Sequence, residues 1–114
     1  MTYKNPPIPK NEVSRLDALA SYNILDTLPE KEFDRLTQLA SIICGAPIAI
    51  ITLIDKDRQW FKSKIGLNAS EMPRDISFCQ YTINDESLLE IEDARKDELF
   101  LSSPLVTAQP NVRF

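Results

Sequence analysis

Hydrophobic and polar residues recur with two different periods along this chain, and each change of period marks an element. From Asn11, a residue type suited to open a helix, Val13, Leu16 and Ala20 recur at helical spacing with Leu19 beside them. That spacing predicts a short amphipathic helix. The stretch "NILDTLPE" interrupts it. Thr27 followed by Glu30 has the spacing of a capping box, and Glu30 and Glu32 suit the positive end of a helix dipole. Phe33, Leu36, Leu39, Ala40 and Ile43 then share one helical face, which is expected to pack on a sheet, and Gly45 predicts the stop.

The period changes at "PIAIITLID", which is rich in β-branched residues and apolar on both parities. A strand covered on both faces reads this way, so a central place in its sheet is expected. "DKDR" predicts a tight turn and "RQWFKSKIG" the returning, more polar strand of a hairpin, ended by Gly66. "LNASEMPRD" is expected as a loop, "SFCQYTI" as one or two helical turns and "LLEIED" as a third strand. "DELFLSSPLV" predicts a short helical segment, and "NVRF" the start of an extended one. Residues 1–10 hold three prolines and no period, and read as a flexible lead-in. Two helices, a hairpin and scattered short elements predict an α+β fold rather than alternating βαβ units.

Composition narrows the function classes. A chain of 114 residues fits one domain, and a 43% hydrophobic, 26% charged composition is that of an ordinary globular protein. The net charge of −4 comes without a basic run, so the electrostatic footprint of a nucleic-acid partner is missing. The longest apolar stretch, "APIAIITLI", is about half of what a membrane-spanning helix needs, so no membrane contact is expected. With no apolar signal region at its start and two distant cysteines, the chain reads as cytoplasmic with reduced thiols.

Five stretches taken in order carry a family resemblance: "RLDALASYNILDTLPEKEFDRLTQLA", "PIAIITLIDKDRQWFKSKIGL", "PRDISFCQYTI", "IEDARKDELFLSSPLV" and "PNVRF". From about Asn11 to the last residue the chain resembles a GAF domain, of the type placed first in sensor histidine kinases and diguanylate cyclases. The resemblance implies a central antiparallel sheet with helices on both sides, and a ligand pocket between the sheet and the segments after the third strand. GAF domains continue through further strands and a terminal helix. Residues 11–114 are accordingly expected to be a partial GAF domain, with the last strands and terminal helix missing and a kinase or cyclase output domain elsewhere in the parent protein. The implied role is sensory: an unidentified small-molecule ligand, relay through a homodimer, and no catalysis by this chain.

The candidate pocket residues are Trp60, Phe61, Phe78, Cys79, Tyr81, Asp93 and Arg113. Trp60 and Phe61 alternate along a strand, so one should enter the core while the other reaches a pocket. Asp93 ends the expected third strand. Arg74 and Arg113 fall by the loops around the pocket, where an arginine meets either an anionic ligand or a structural carboxylate. Cys79 has three readings. Bilin-binding GAF domains attach their chromophore through a cysteine followed by histidine, but here Gln80 and Tyr81 follow and the chain has no histidine. No bilin or haem attachment is therefore expected. A thiol-dependent reductase of free methionine sulfoxide would need a resolving thiol, and only Cys44, expected to be packed at the end of the second helix, is available. The third reading is a small hydrophobe beside Phe78. The acidic turn Asp55, Lys56 and Asp57 lacks the further carboxylates and the glycine of a calcium loop and is expected as a solvated turn. No catalytic residue and no metal ligand is assigned. A module that binds nothing and only dimerises is the remaining alternative.

Overall fold

The computed structural model describes residues 6–114, and its fold is α+β. Its organising element is an antiparallel hairpin, β1 (Ala49–Ile54) and β2 (Arg58–Ile65), to which a short β3 (Glu71–Pro73) adds in the order β1-β2-β3. The chain divides into two compact units, Asn11–Arg74 and residues 75–114 together with 6–10.

In the first unit the polar strand is central and the apolar one lies at the edge, which reverses the expectation for "PIAIITLID". Five successive residues of β2, Gln59 to Ser63, are buried, whereas Ala49 to Leu53 of β1 are only half-buried. Among the described residues β1 pairs on one side only. The register explains how a polar strand can be central. Ile51 faces Ser63 while Thr52 faces Phe61, so Lys62 is an extra residue, a β-bulge. A bulge breaks strict alternation, and Lys62 and Ser63 both reach toward the segment that carries α2. β3 forms in the stretch expected as a loop. It pairs Met72 with Gln59 and Glu71 with Trp60, and Phe61 N donates to Ser70 O at 3.0 Å just beyond it.

Helix α1 spans Glu12–Ser21 and α2 spans Lys31–Cys44. The anticipated stripe of α1 is rotated: Val13 and Ala20 are exposed, and Glu12, Arg15, Leu16 and Leu19 face inward. α2 begins at Lys31, so Glu30 is its cap residue and the Thr27/Glu30 capping box does not form. Thr27 Oγ1 instead donates to Ile24 O and accepts from Lys62 Nζ. Gly45 does stop the helix, at φ +60°, with Ala46 N donating to Ser41 O and Gly45 N to Ile42 O in the Schellman pattern.

α2 packs on both β1 and β2, but not through the expected face. Thr37 is buried, Phe33, Asp34 and Ser41 are half-buried, and Leu36, Leu39, Ile42 and Ile43 are 57%, 53%, 78% and 72% exposed. The strand beneath presents an ammonium and a hydroxyl, and polar groups that leave water need partners. α2 therefore turns its polar residues inward.

In the second unit, Phe100 is fully buried with Ala94, beside Val106. Phe78 stacks on it at 4.2 Å between ring centroids and Tyr81 meets it edge-on at 5.2 Å. α3 (Cys79–Thr82) is the expected helical turn, and α4 (Pro104–Thr107) is capped by Ser103, whose Oγ accepts from Leu105 N at 3.2 Å. The expected strand "LLEIED" does not form; Leu88 is 88% exposed and the segment runs as a loop. "NVRF" forms no strand, although Val112 N donates to Leu105 O and Ala94 N to Arg113 O. Residues 1–5 of the expected lead-in lie outside the described residues. In its second half Pro6 and Pro9 are buried, and Pro7 O accepts from Gln80 Nε2 at 2.6 Å and Asn84 Nδ2 at 3.0 Å.

Gly66 closes β2 at φ +82°, and a Cβ there would lie 2.0 Å from the backbone oxygen of Pro47. Both the backbone conformation and the space require glycine. Gly66→Ala should lower unfolding stability by at least about 1–3 kcal/mol, read from the urea midpoint, whereas Gly45→Ala, with open space around it, should cost less.

Candidate functional site

The seven sequence-nominated residues fall in different units: Trp60 and Phe61 lie in the first, and Phe78, Cys79, Tyr81, Asp93 and Arg113 in the second. Trp60 and Phe61 are each 6% exposed, so both are buried, not one. Phe78 and Tyr81 pack around Phe100. Asp93 is engaged locally: its Oδ1 accepts from Arg95 N and Nε, each at 3.0 Å, and its Oδ2 from Arg95 Nη2 at 2.8 Å. The Arg95 hydrogen bonds hold the Asp93 carboxyl at about 2, below the ordinary carboxylate range. Arg113 donates to Val106 O at 3.1 Å and Val112 O at 3.2 Å. Neither cysteine is in a disulfide; Cys79 is half-buried, and Cys44 is exposed rather than packed.

A cavity of about 610 Å³ in the first unit lies between the start of α2, the loop before it and β2. Trp60, Phe61, Lys62, Ser63, Asp26 and Asp34 contribute to its wall. The bulge carries Lys62 under the loop, where its ammonium, with 0% of the side chain exposed, donates to Thr27 Oγ1 at 2.8 Å and Leu28 O at 2.7 Å. Glu30 lies 2.7 Å from it, and the Phe33 ring centre 5.7 Å away. One residue on, Ser63 donates to Asp34 Oδ1 at 2.6 Å and shares a 2.8 Å hydrogen bond with Thr37. Nothing in the single sequence marks Lys62, because a bulge is visible only once the strand pairing is known.

Two arginines complete the electrostatics. Arg58 meets Asp26 through both Nη atoms at 2.8 Å, Asp55 at 3.1 Å and Glu71 at 3.2 Å. Its proton is held more tightly than in water, first by Asp26 and then by Asp55. The expected solvated turn 55–57 is thus tied by Asp55. Arg74, 6% exposed, grips both oxygens of Glu12 at 2.8 Å and also donates to the carbonyls of Asp55 and Lys56. Arg15 bonds the same Glu12 carboxylate.

Chemically, this arrangement holds a structure together. Ser63 touches a carboxylate but has no imidazole to take its proton, since the chain contains no histidine. A hydroxyl in that setting is not an activated nucleophile. Among the described residues no three His, Cys, Asp or Glu side chains are placed to hold a metal ion, and no helix is long and apolar enough to cross a membrane.

Comparison with known proteins adds one relationship. The chain is 35% identical over 109 residues to a cyclic di-GMP phosphodiesterase of Pseudomonas aeruginosa, a match that takes in 96% of this chain and 19% of that protein. It therefore spans about a fifth of that relative's length. No protein-family profile matches the chain.

The Glu12–Arg74 pair makes a pH prediction. Glu12 is held at about 2 against an ordinary 4.5, first by the Arg74 hydrogen bonds and then, against burial, by Arg15. A lowered carboxyl pKa gives stability that is present above pH 4.5 and is lost as pH falls toward 2. Unfolding stability should decline across that window. Glu12→Gln should cost about 1–3 kcal/mol at neutral pH and flatten the decline, as read from denaturant melts at stepped pH.

Proposed function

We propose that this chain is a GAF-type sensory module of a cytoplasmic signalling protein. It binds a small molecule and relays its presence to an output domain elsewhere in the polypeptide. The observation that carries this reading is the form of the similarity: nearly the whole chain aligns, yet with only 19% of a cyclic di-GMP phosphodiesterase. A segment shared in that way is a separable part of a larger enzyme. The polar residues of the first unit, tied to one another without an activated nucleophile, support a non-catalytic part. The output domain in this reading acts on cyclic di-GMP, or is of the histidine-kinase or diguanylate-cyclase type that the resemblance implies.

Trp60 and Phe61 remain candidates within the first unit, and Phe78, Cys79, Tyr81, Asp93 and Arg113 are carried forward as the candidates of the second. Cys79 and Tyr81, both half-buried, offer the contact surface, and Phe78 packs on Phe100. Asp93 and Arg113 act by holding the segment around Ala94, since their own polar groups are engaged. The ligand is therefore apolar or aromatic over much of its surface, recognised by rings and one soft sulfur. A second reading, a ligand-free dimerisation module, is favoured by the exposed apolar side of α2.

Native mass spectrometry of the purified chain separates these readings. A retained small molecule, lost in Tyr81→Ala without loss of the fold, is the expected result. An empty protein under every condition would leave the dimerisation module. Turnover of free methionine sulfoxide with a thiol donor, abolished in Cys79→Ser, would replace both with the reductase.

A further inference from the structure

The chain passes between its two compact units twice, after Lys10 and after Arg74. Residues 6–9 therefore group with residues 75–114, although the whole first unit intervenes in the sequence. Three of these four are prolines, and without a backbone N–H a proline meets its neighbours only as an acceptor. Pro6 and Pro9 are buried, and Pro7 O accepts from Gln80 Nε2 at 2.6 Å and Asn84 Nδ2 at 3.0 Å. The segment is a strap across α3 and the residues just after it. We propose that the Glu12–Arg74 pair latches this strap: while the pair is closed the strap stays seated on Gln80 and Asn84, and when it opens the strap is released and α3 loosens. This does not depend on the sensory reading.

Three features point to a latch. First, the pair joins the two ends of the first unit. Glu12 and Arg74 lie at its second and last positions and share two hydrogen bonds of 2.8 Å. Each is anchored from behind. Arg15 bonds the Glu12 carboxylate, and Arg74 donates to the carbonyls of Asp55 and Lys56 and, from its backbone N, to Asp57 O at 3.2 Å. Second, α1 has little else to hold its start. Asn11 makes no side-chain capping hydrogen bond, and Glu12 is the acidic residue of the first turn. Opening the pair therefore frees the turn into which the strap runs.

Third, the strap is lightly held on its own. Pro7 and Ile8 are exposed, and one carbonyl carries both of its hydrogen bonds to Gln80 and Asn84. Segments with few buried contacts open locally at small free energies. A tethered segment binds at an effective concentration set by the length and stiffness of its tether. With the pair closed, the strap runs into an anchored Glu12, and its seat lies a few residues past an anchored Arg74. With the pair open, the first turn of α1 joins the tether and that advantage is lost. The coupling is reciprocal: whatever shifts α3, which carries Cys79 and Tyr81, is felt at the start of α1.

Hydrogen exchange followed by nuclear magnetic resonance on the full chain tests this, with Gly45→Ala as a control destabilised away from the latch. Glu12→Gln should speed exchange of the Gln80 side-chain amide, and of the Ile83 and Asn84 backbone amides that donate to α3, by roughly tenfold or more. Gly45→Ala should leave them unchanged. Asn84→Ala, which loosens only the seat, should in turn speed exchange of the Arg74 guanidinium protons. If Glu12→Gln does not fold, Asn84→Ala decides alone. Exchange at Gln80 no faster in Glu12→Gln than in Gly45→Ala, or Arg74 protons indifferent to Asn84→Ala, would overturn the proposal.

Discussion

A single buried ammonium sets the arrangement of the first unit. Lys62 lies in the middle of the central strand, on the bulge, with no exposed side-chain surface. Leaving that charge unpaired in the interior would cost several kcal/mol, so the chain around it must supply oxygen. Thr27, Leu28 and Glu30 do so, which fixes the loop before α2 and hence where the helix begins. Ser63, turned to the same side, extends the polar seam to Asp34 and Thr37 one helical turn further on. The helix is held down by hydrogen bonds along one stripe, and its aliphatic stripe is left at the side.

This inversion shows why some of the structure was legible in the sequence and some was not. Elements set by local chemistry could be read. The α2 pattern ends at Gly45, the hairpin turns at Asp55–Asp57, and the helical turn holding Cys79 lies within "SFCQYTI". What could not be read depends on pairing between distant segments. Apolar residues on both parities made β1 look central, yet which strand lies at the edge depends on how many partners are present. Likewise, Glu71–Pro73 has too few residues to carry a period, and it becomes a strand only because the start of β2 offers it a ladder.

The candidate site divides in the same way. Side-chain type draws attention to the aromatic residues of "SFCQYTI", which pack around Phe100, a residue in a segment legible only as a short helix. Asp93 stands at the end of the expected third strand, and Arg113 beside the loops around the expected pocket, where an arginine can meet an anionic ligand. In the structure Asp93 meets Arg95, and Arg113 meets the backbone carbonyls of Val106 and Val112. A lone charged residue in a sequence carries no sign of whether its partner is internal. Glu12 and Arg74 are separated by 62 positions and share two hydrogen bonds that no spacing rule would find.

Taken together, the internal pairings limit what this chain can recognise. Arg58 and Arg74 each meet carboxylates of their own unit, Lys62 is enclosed, and the Arg95 fork closes on Asp93. An anionic ligand that recruited Lys62 or Arg74 would have to displace a partner already in place, and would leave that carboxylate without its counter-charge. Breaking a buried pair in that way costs about 3–5 kcal/mol, comparable to the whole gain from one bidentate contact. The exposed side chains of Leu36, Leu39, Ile42 and Ile43 on α2 take no part in these pairings. Covering those side chains would be rewarded by burial rather than by charge, and such contacts gain most where the covered apolar patch is continuous.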